Sequence, residues 1–158
     1  MNRLEEVRKI VDSILLTQSD LFERRCGFVH LYGVSSLCSL LALKRGLDVE
    51  LCSIMGMLHD LSTYKTGSSD NHAHFSSLES RSLLSSLNCF SDDEISLISL
   101  SISNHSNKSV IDDSYSELLK DADVFQHFLY NTSFSVGEVS KKRLISLFQE
   151  LDCLYSLH

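Results

Sequence analysis

An imidazole and a carboxylate stand side by side at His59-Asp60, directly after the apolar run Ile54-Met55-Gly56-Met57-Leu58. Such a pair at the edge of a buried helix is costly unless something pairs with it. A divalent cation can do so, because it binds both donor types at once. Further ligand types stand at separated places along the chain: His30, His72 or His74, His105 and Asp123. Singly, each has an ordinary explanation. A lone histidine on an apolar stripe is usually a core histidine bonded to a backbone carbonyl. An aspartate inside a helix is usually solvated, and Asp121 is expected to be so. His127 and His158 have no supporting context. What the ordinary explanations leave out is the coincidence, since burying several unpaired ionisable groups in one small core would cost several kcal/mol each. A shared cation removes that cost.

These residues need helices to position them. Apolar spacing at period 3.6 predicts about seven helices, and strand signals are weak throughout, so the fold class is an all-α bundle. The first helix covers Leu4 to Gln18. The second runs from Gly27 to Arg45 and stops at Gly46, a good C-terminal cap. Asp48 caps the third, which ends at His59-Asp60. After a turn at Lys65-Thr66-Gly67-Ser68-Ser69, Asp70 or Asn71 caps a fourth that ends near Asn88. Ser91-Asp92-Asp93-Glu94 is a capping box that opens the fifth, and Ser114-Tyr115-Ser116-Glu117 is another that opens the sixth. Ser135-Val136-Gly137-Glu138 opens the seventh. His30 shares a helix stripe with Val34, Leu37 and Leu41, and His105 shares one with Ile95, Ile98 and Ile102, so both point to the core. His59 shares a face with Leu51 and Met55. Asp123 lies one turn beyond Leu119, next to Ala122.

The bulk composition bounds the rest. At 158 residues the chain is read as one domain, 1–158, with 43% hydrophobic and 22% charged residues, enough to bury a packed core. A net charge of −7 without a basic cluster makes it a poor binder of nucleic acid duplexes. It still admits a small anionic substrate, because a metal site reverses the local potential. The 5 cysteines have no CxxC spacing and read as reduced core thiols. No signal core and no membrane-spanning stretch is expected, so the cytoplasm is the default. An apolar helix face could serve a homodimer.

The order His30, then His59-Asp60, then Asp123 resembles the HD-domain superfamily of metal-dependent phosphohydrolases. The likeness runs from about Arg24 to about Asn131. Phe28-Val29-His30-Leu31-Tyr32-Gly33-Val34 resembles the helix of the first histidine, Gly56-Met57-Leu58-His59-Asp60 the signature dipeptide, and Leu118-Leu119-Lys120-Asp121-Ala122-Asp123-Val124 the distal aspartate segment. In that family the ligand is the aspartate followed by an apolar residue, here Asp123 rather than Asp121. The additional histidines resemble those of the two-metal branches. The family spacing of a histidine, three residues, then Gly-Ala favours His72 over His74, although Ser76-Ser77 stands where that pattern has Gly-Ala. Ser103-Asn104-His105-Ser106 resembles the next histidine motif. The arrangement is most similar to small HD proteins related to bacterial dinucleoside tetraphosphate hydrolases.

The resemblance implies two divalent transition metals (iron, manganese, nickel, cobalt or zinc) about 3.5–4 Å apart, bridged by Asp60 and a water. His30, His59 and Asp123 would complete one shell, and His72 and His105 the other. The water, acidified to hydroxide, would attack phosphorus in a nucleotide or another small phosphate ester. Lys65, shortly after the dipeptide, could bind a non-bridging phosphate oxygen. Arg24, Arg25 and Arg81 could serve likewise, with surface pairing as their ordinary role. Two other function classes share these ligands: an HD-fold di-iron oxygenase, and a non-catalytic module that binds a nucleotide.

Overall fold

The computed structural model describes residues 2–155, so His158 lies outside the described residues. Among them are eight helices and no strand: α1 (Arg3–Thr17), α2 (Leu21–Arg45), α3 (Val49–Leu58), α4 (Leu61–Thr66), α5 (His72–Ser86), α6 (Asp92–Asn104), α7 (Ser114–Tyr130) and α8 (Glu138–Glu150). Seven correspond to the expected helices, and the eighth is the short α4 that follows the His-Asp pair. α2 is the central element, packed on α3 and α7, with α5 paired to α6. One apolar cluster joins Val34, Cys38 and Leu41 of α2 to Ile54, Met55 and Leu58 of α3 and to Leu118, Leu119 and Ala122 of α7.

Local chemistry sets the ends of these helices. Asp48 accepts from Leu51 N to start α3, and Gly46 ends α2 at φ 68°, a left-handed conformation in which a Cβ would be strained. The Ser91 capping box forms in full. At α7 the cap is one residue earlier than expected: Asp113 accepts from Tyr115 N and Ser116 N, because Glu117 is turned instead to Lys120 and Arg143. α2 starts at Leu21, earlier than the expected Gly27, because Asp20 accepts from Phe22 N and Glu23 N.

The crossing of α2 and α3 depends on Gly56. A Cβ there would lie 2.6 Å from Ser35 Cα and 2.7 Å from Ser35 N, inside van der Waals contact with the backbone of α2. This close approach brings His30 and His59, one on each helix, within bonding range. The expectation that no stretch could span a membrane is corrected at α2, whose 25 residues are long and apolar enough by composition. In the fold this helix buries its apolar face against α3 and α7.

Candidate metal centre

His59 and Asp60 sit where α3 stops and α4 begins. His59 is the last-turn cap of α3, and Asp60, at φ −115° and ψ 19°, has left the helical path. Adjacent residues in an unbroken helix point away from each other. The break lets both side chains reach one place. His30 comes from the middle of α2, Asp123 from the middle of α7, His72 from the first residue of α5 and His105 from the end of α6.

Five of these six groups converge on the sixth, Asp60, or on each other. Asp60 Oδ2 lies 3.3 Å from His30 Nε2 and 3.5 Å from His59 Nε2. Its other oxygen, Oδ1, lies 3.2 Å from His105 Nε2 and 3.5 Å from His72 Nε2. Asp123 Oδ1 is 3.5 Å from His30 Nε2 and 3.7 Å from His59 Nε2. One carboxylate therefore faces two pairs of imidazoles, one pair per oxygen. His74 stays exposed with its ring against Phe75, outside the cluster.

The far side of each ring fixes its tautomer. His59 Nδ1 faces Gly56 O at 2.9 Å, His105 Nδ1 faces Ile102 O at 2.7 Å, and His72 Nδ1 faces Ser69 O at 2.8 Å. His30 Nδ1 faces Gln126 Oε1 at 2.7 Å. Each of these oxygens can only accept, so each Nδ1 carries the proton, and in the neutral ring Nε2 presents a lone pair. The lone pairs of His30, His59 and His105 then point at carboxylate oxygens or at one another, while that of His72, 3.5 Å from Asp60 Oδ1, also accepts from the Ser106 hydroxyl at 2.9 Å. His30 Nε2 and His59 Nε2 are 3.0 Å apart, which is repulsive unless positive charge stands between them. Asp60 Oδ1 and Asp123 Oδ1, both buried, have no hydrogen-bond donor. A cation fits this donor set: the Nε2 atoms and orphaned oxygens are what it would bind, and the locked Nδ1 protons are the outer contacts that hold ligating histidines in place. The charges of the cluster agree with this. Burial pushes the Asp60 carboxyl up, and only positive charge beside it, on the rings of His59, His105 and His30 or on a cation in their place, holds it well below the ordinary range. Burial likewise opposes ionisation of Asp123, yet His127, His59 and Lys108 keep it well below 3.8. His30 is desolvated, which lowers it, but Asp60 and Asp123 raise it above 6.5. The two carboxylates thus stay ionised and draw positive charge.

Several residues gain or change a role. His127, for which no context was expected, places Nε2 3.3 Å from Asp123 Oδ1 and its ring 4.7 Å from that of His30. Its signal in the sequence is the i, i+4 spacing from Asp123 on one helix face. Gln126, which orients His30, reaches it past Gly33, where a Cβ would lie 2.8 Å from Gln126 Cγ. Asp121 is not solvated as expected but bridges Arg45 and Arg143, each at 2.8 Å. Lys65 is 54% exposed and pairs with Glu79 at 2.9 Å, so its ammonium is turned to α5 rather than to the cluster. The lysine at the cluster is Lys108, 2.5 Å from Asp123 Oδ2. Arg24 caps the end of α1 by donating to Gln18 O, Arg25 lies over Phe22, and Arg81 is exposed beside Ser96. Ser76 and Ser77, which depart from the family pattern, both have partners: the Ser76 hydroxyl bonds Ser62, and Ser77 donates to Ser99 O.

The model of the HD domain matches residues 27–127, a span that contains every residue of the cluster. The chain belongs to the HD domain family. Its fold is similar to that of a predicted HD superfamily hydrolase from an uncultured Thermotogales bacterium, with 18% sequence identity, a TM-score of 0.59, and coverage of 91% of this chain and 88% of that one. No match was found among curated proteins. The HD domain runs from Gly27 in α2 to His127 in α7, and α1 and α8 flank it.

Proposed function

We propose that this HD domain is a metal-dependent phosphohydrolase with two divalent cations, acting on a nucleotide or another small phosphate ester. The observation that carries the reading is the division of the imidazoles over the two oxygens of Asp60, His30 and His59 on one and His72 and His105 on the other. His30, His59 and Asp123 would hold one ion, His72 and His105 the second, and Asp60 both. Bound there, such ions supply Lewis acidity toward phosphoryl oxygens and a water acidified to near neutrality.

The protein's own part is to hold the ligands and shape the surroundings. The acceptors Gly56 O, Ile102 O, Ser69 O and Gln126 Oε1 keep the Nε2 atoms aimed inward. The buried rings of His30, His59 and His105 exclude bulk water from the inner side, where electrostatic interactions are strongest. His127, 69% exposed, stands on the outer side. The five cysteines are unpaired, which suits a reducing cytoplasm.

The test is a screen of metal-reconstituted protein against nucleotides, dinucleoside polyphosphates and simple phosphate esters. Phosphate release that disappears on chelation supports the proposal. Oxygen consumption without phosphate release would replace it with an oxygenase, and tight nucleotide binding without turnover would replace it with a binding module.

A further inference from the structure

Beside the cluster, a cavity of about 380 Å³ has Asp123 and His127 on its lining. Phe128 and Phe134 form aromatic wall, Asn131 adds a polar group, and Lys108 is the one lysine or arginine on its lining. The ammonium of Lys108 has three protons. One goes to Asp123 Oδ2 at 2.5 Å and one to His105 O at 2.6 Å. The third has no protein acceptor among the described residues. Although Lys108 lies in the loop between α6 and α7, its main chain is fixed. Its carbonyl accepts from Arg143 Nε at 3.0 Å and Nη2 at 2.9 Å. Arg143 is itself held by Glu117 at 2.9 Å and Asp121 at 2.8 Å. The side chain is only 18% exposed, so its charge is poorly screened.

We propose that Lys108 anchors the anionic group of the substrate and that the cavity takes a flat or apolar organic body attached to it. This rests on the phosphohydrolase reading above and deepens it, by naming the residue that holds the anion and the chamber that takes the organic part of the ester. An anion approaching Asp60 and Asp123 meets two carboxylates, and a fixed ammonium beside them offsets that repulsion while forming a charge-assisted hydrogen bond. A phosphate group alone needs far less room than this cavity, whose volume is that of small-molecule sites, commonly about 300–1,000 Å³. The aromatic rings of Phe128 and Phe134 suit a planar group. Lys108 thus takes the role that the sequence suggested for Lys65.

The test uses full-length, manganese-loaded protein and two non-hydrolysable probes, phenylphosphonate and methylphosphonate, with binding read by calorimetry and metal content by elemental analysis. The wild type is expected to bind phenylphosphonate more tightly than methylphosphonate. Lys108→Met is expected to weaken both by about tenfold or more, with metal content and Tm retained, and Lys108→Arg to restore much of the loss. Phe134→Ala is expected to weaken phenylphosphonate alone. Affinities within twofold of wild type in Lys108→Met overturn the proposal. Loss of metal from that variant also overturns it, since Lys108 is then a counter-charge for Asp123. Equal binding of the two probes by the wild type removes the organic cavity. Probe binding through Lys108 without turnover of any ester sinks the hydrolase reading alone, whereas turnover with unaltered binding in Lys108→Met sinks this proposal alone.

Discussion

α7 takes part in two buried polar clusters that solve the problem of charge in opposite ways. In the first turns, Glu117, Lys120 and Asp121 belong to a network in which every cation meets anions. Lys120, with a side chain 0% exposed, donates to Asp112, Glu117 and Val110 O. Arg143 pairs with Glu117 and Asp121, and Arg45 with Asp121 and Glu150. One turn further on, Asp123, Gln126 and His127 belong to the His-Asp cluster, where carboxylate oxygens lack donors and imidazole lone pairs face them. The first cluster is complete within the protein. The second leaves Asp60 Oδ1 and Asp123 Oδ1 without donors, an imbalance that a bound cation would remove. Burial by itself therefore does not mark a functional site. An unbalanced donor set does.

The largest effect should come from breaking the incomplete cluster at its shared ligand. Asp60→Asn keeps the shape and removes the charge. It should lower phosphate release by about a thousandfold or more, since charge stabilisation by bound ions is worth several kcal/mol, and elemental analysis should show metal lost with it. The complete cluster should fail in the other currency, stability. Lys120→Met leaves Asp112 without its partner and should cost about 3 kcal/mol in denaturant unfolding while metal content holds. That cost should depend on pH. Burial raises the Glu117 carboxyl, but Lys120 and Arg143 more than compensate and hold it below 4.5. A depressed folded pKa contributes stability present above the unfolded value and lost as pH falls through the folded one. The difference between wild type and Lys120→Met should accordingly shrink below about pH 4.5. A difference that grows with acid would contradict this assignment.

A smaller effect sharpens the comparison within the metal cluster. Gln126→Met frees the Nδ1 proton of His30 from its acceptor and should weaken metal binding by about ten- to a hundredfold, read by competition with a chelator. The smallest belongs to the surface. Lys65→Ala removes an exposed pair with Glu79 and should change stability by less than about 1 kcal/mol, with turnover unaltered. A large loss of turnover there would return Lys65 to the site.

Most of the framework was readable in the sequence, because it is built from local signals. The caps at Asp48 and Ser91, the stop at Gly46 and the inward stripes of His30 and His105 depend on residues within one or two turns. What was not readable depends on partners far along the chain. Asp121 looks like a surface aspartate until Arg45 and Arg143, from α2 and α8, are seen on either side of it. Lys65 and Lys108 are both loop-adjacent lysines, and only packing shows that one meets Glu79 and the other Asp123. Apolar spacing places the start of α2 too late, because its first turn, Leu21 to Glu23, is exposed and carries no apolar period. α4, with 6 residues, is too short to show one. His127 belongs to no motif in the sequence, and its one signal there is the i, i+4 spacing from Asp123, a contact distance on a helix.

The central claim is that positive charge from outside completes the cluster around Asp60. Anomalous diffraction from crystals of manganese-loaded protein tests it most directly. The account predicts one peak among His30, His59, Asp60 Oδ2 and Asp123, and a second among His72, His105 and Asp60 Oδ1. Loaded crystals with no peak at Asp60, or with ions bound only elsewhere, would contradict it.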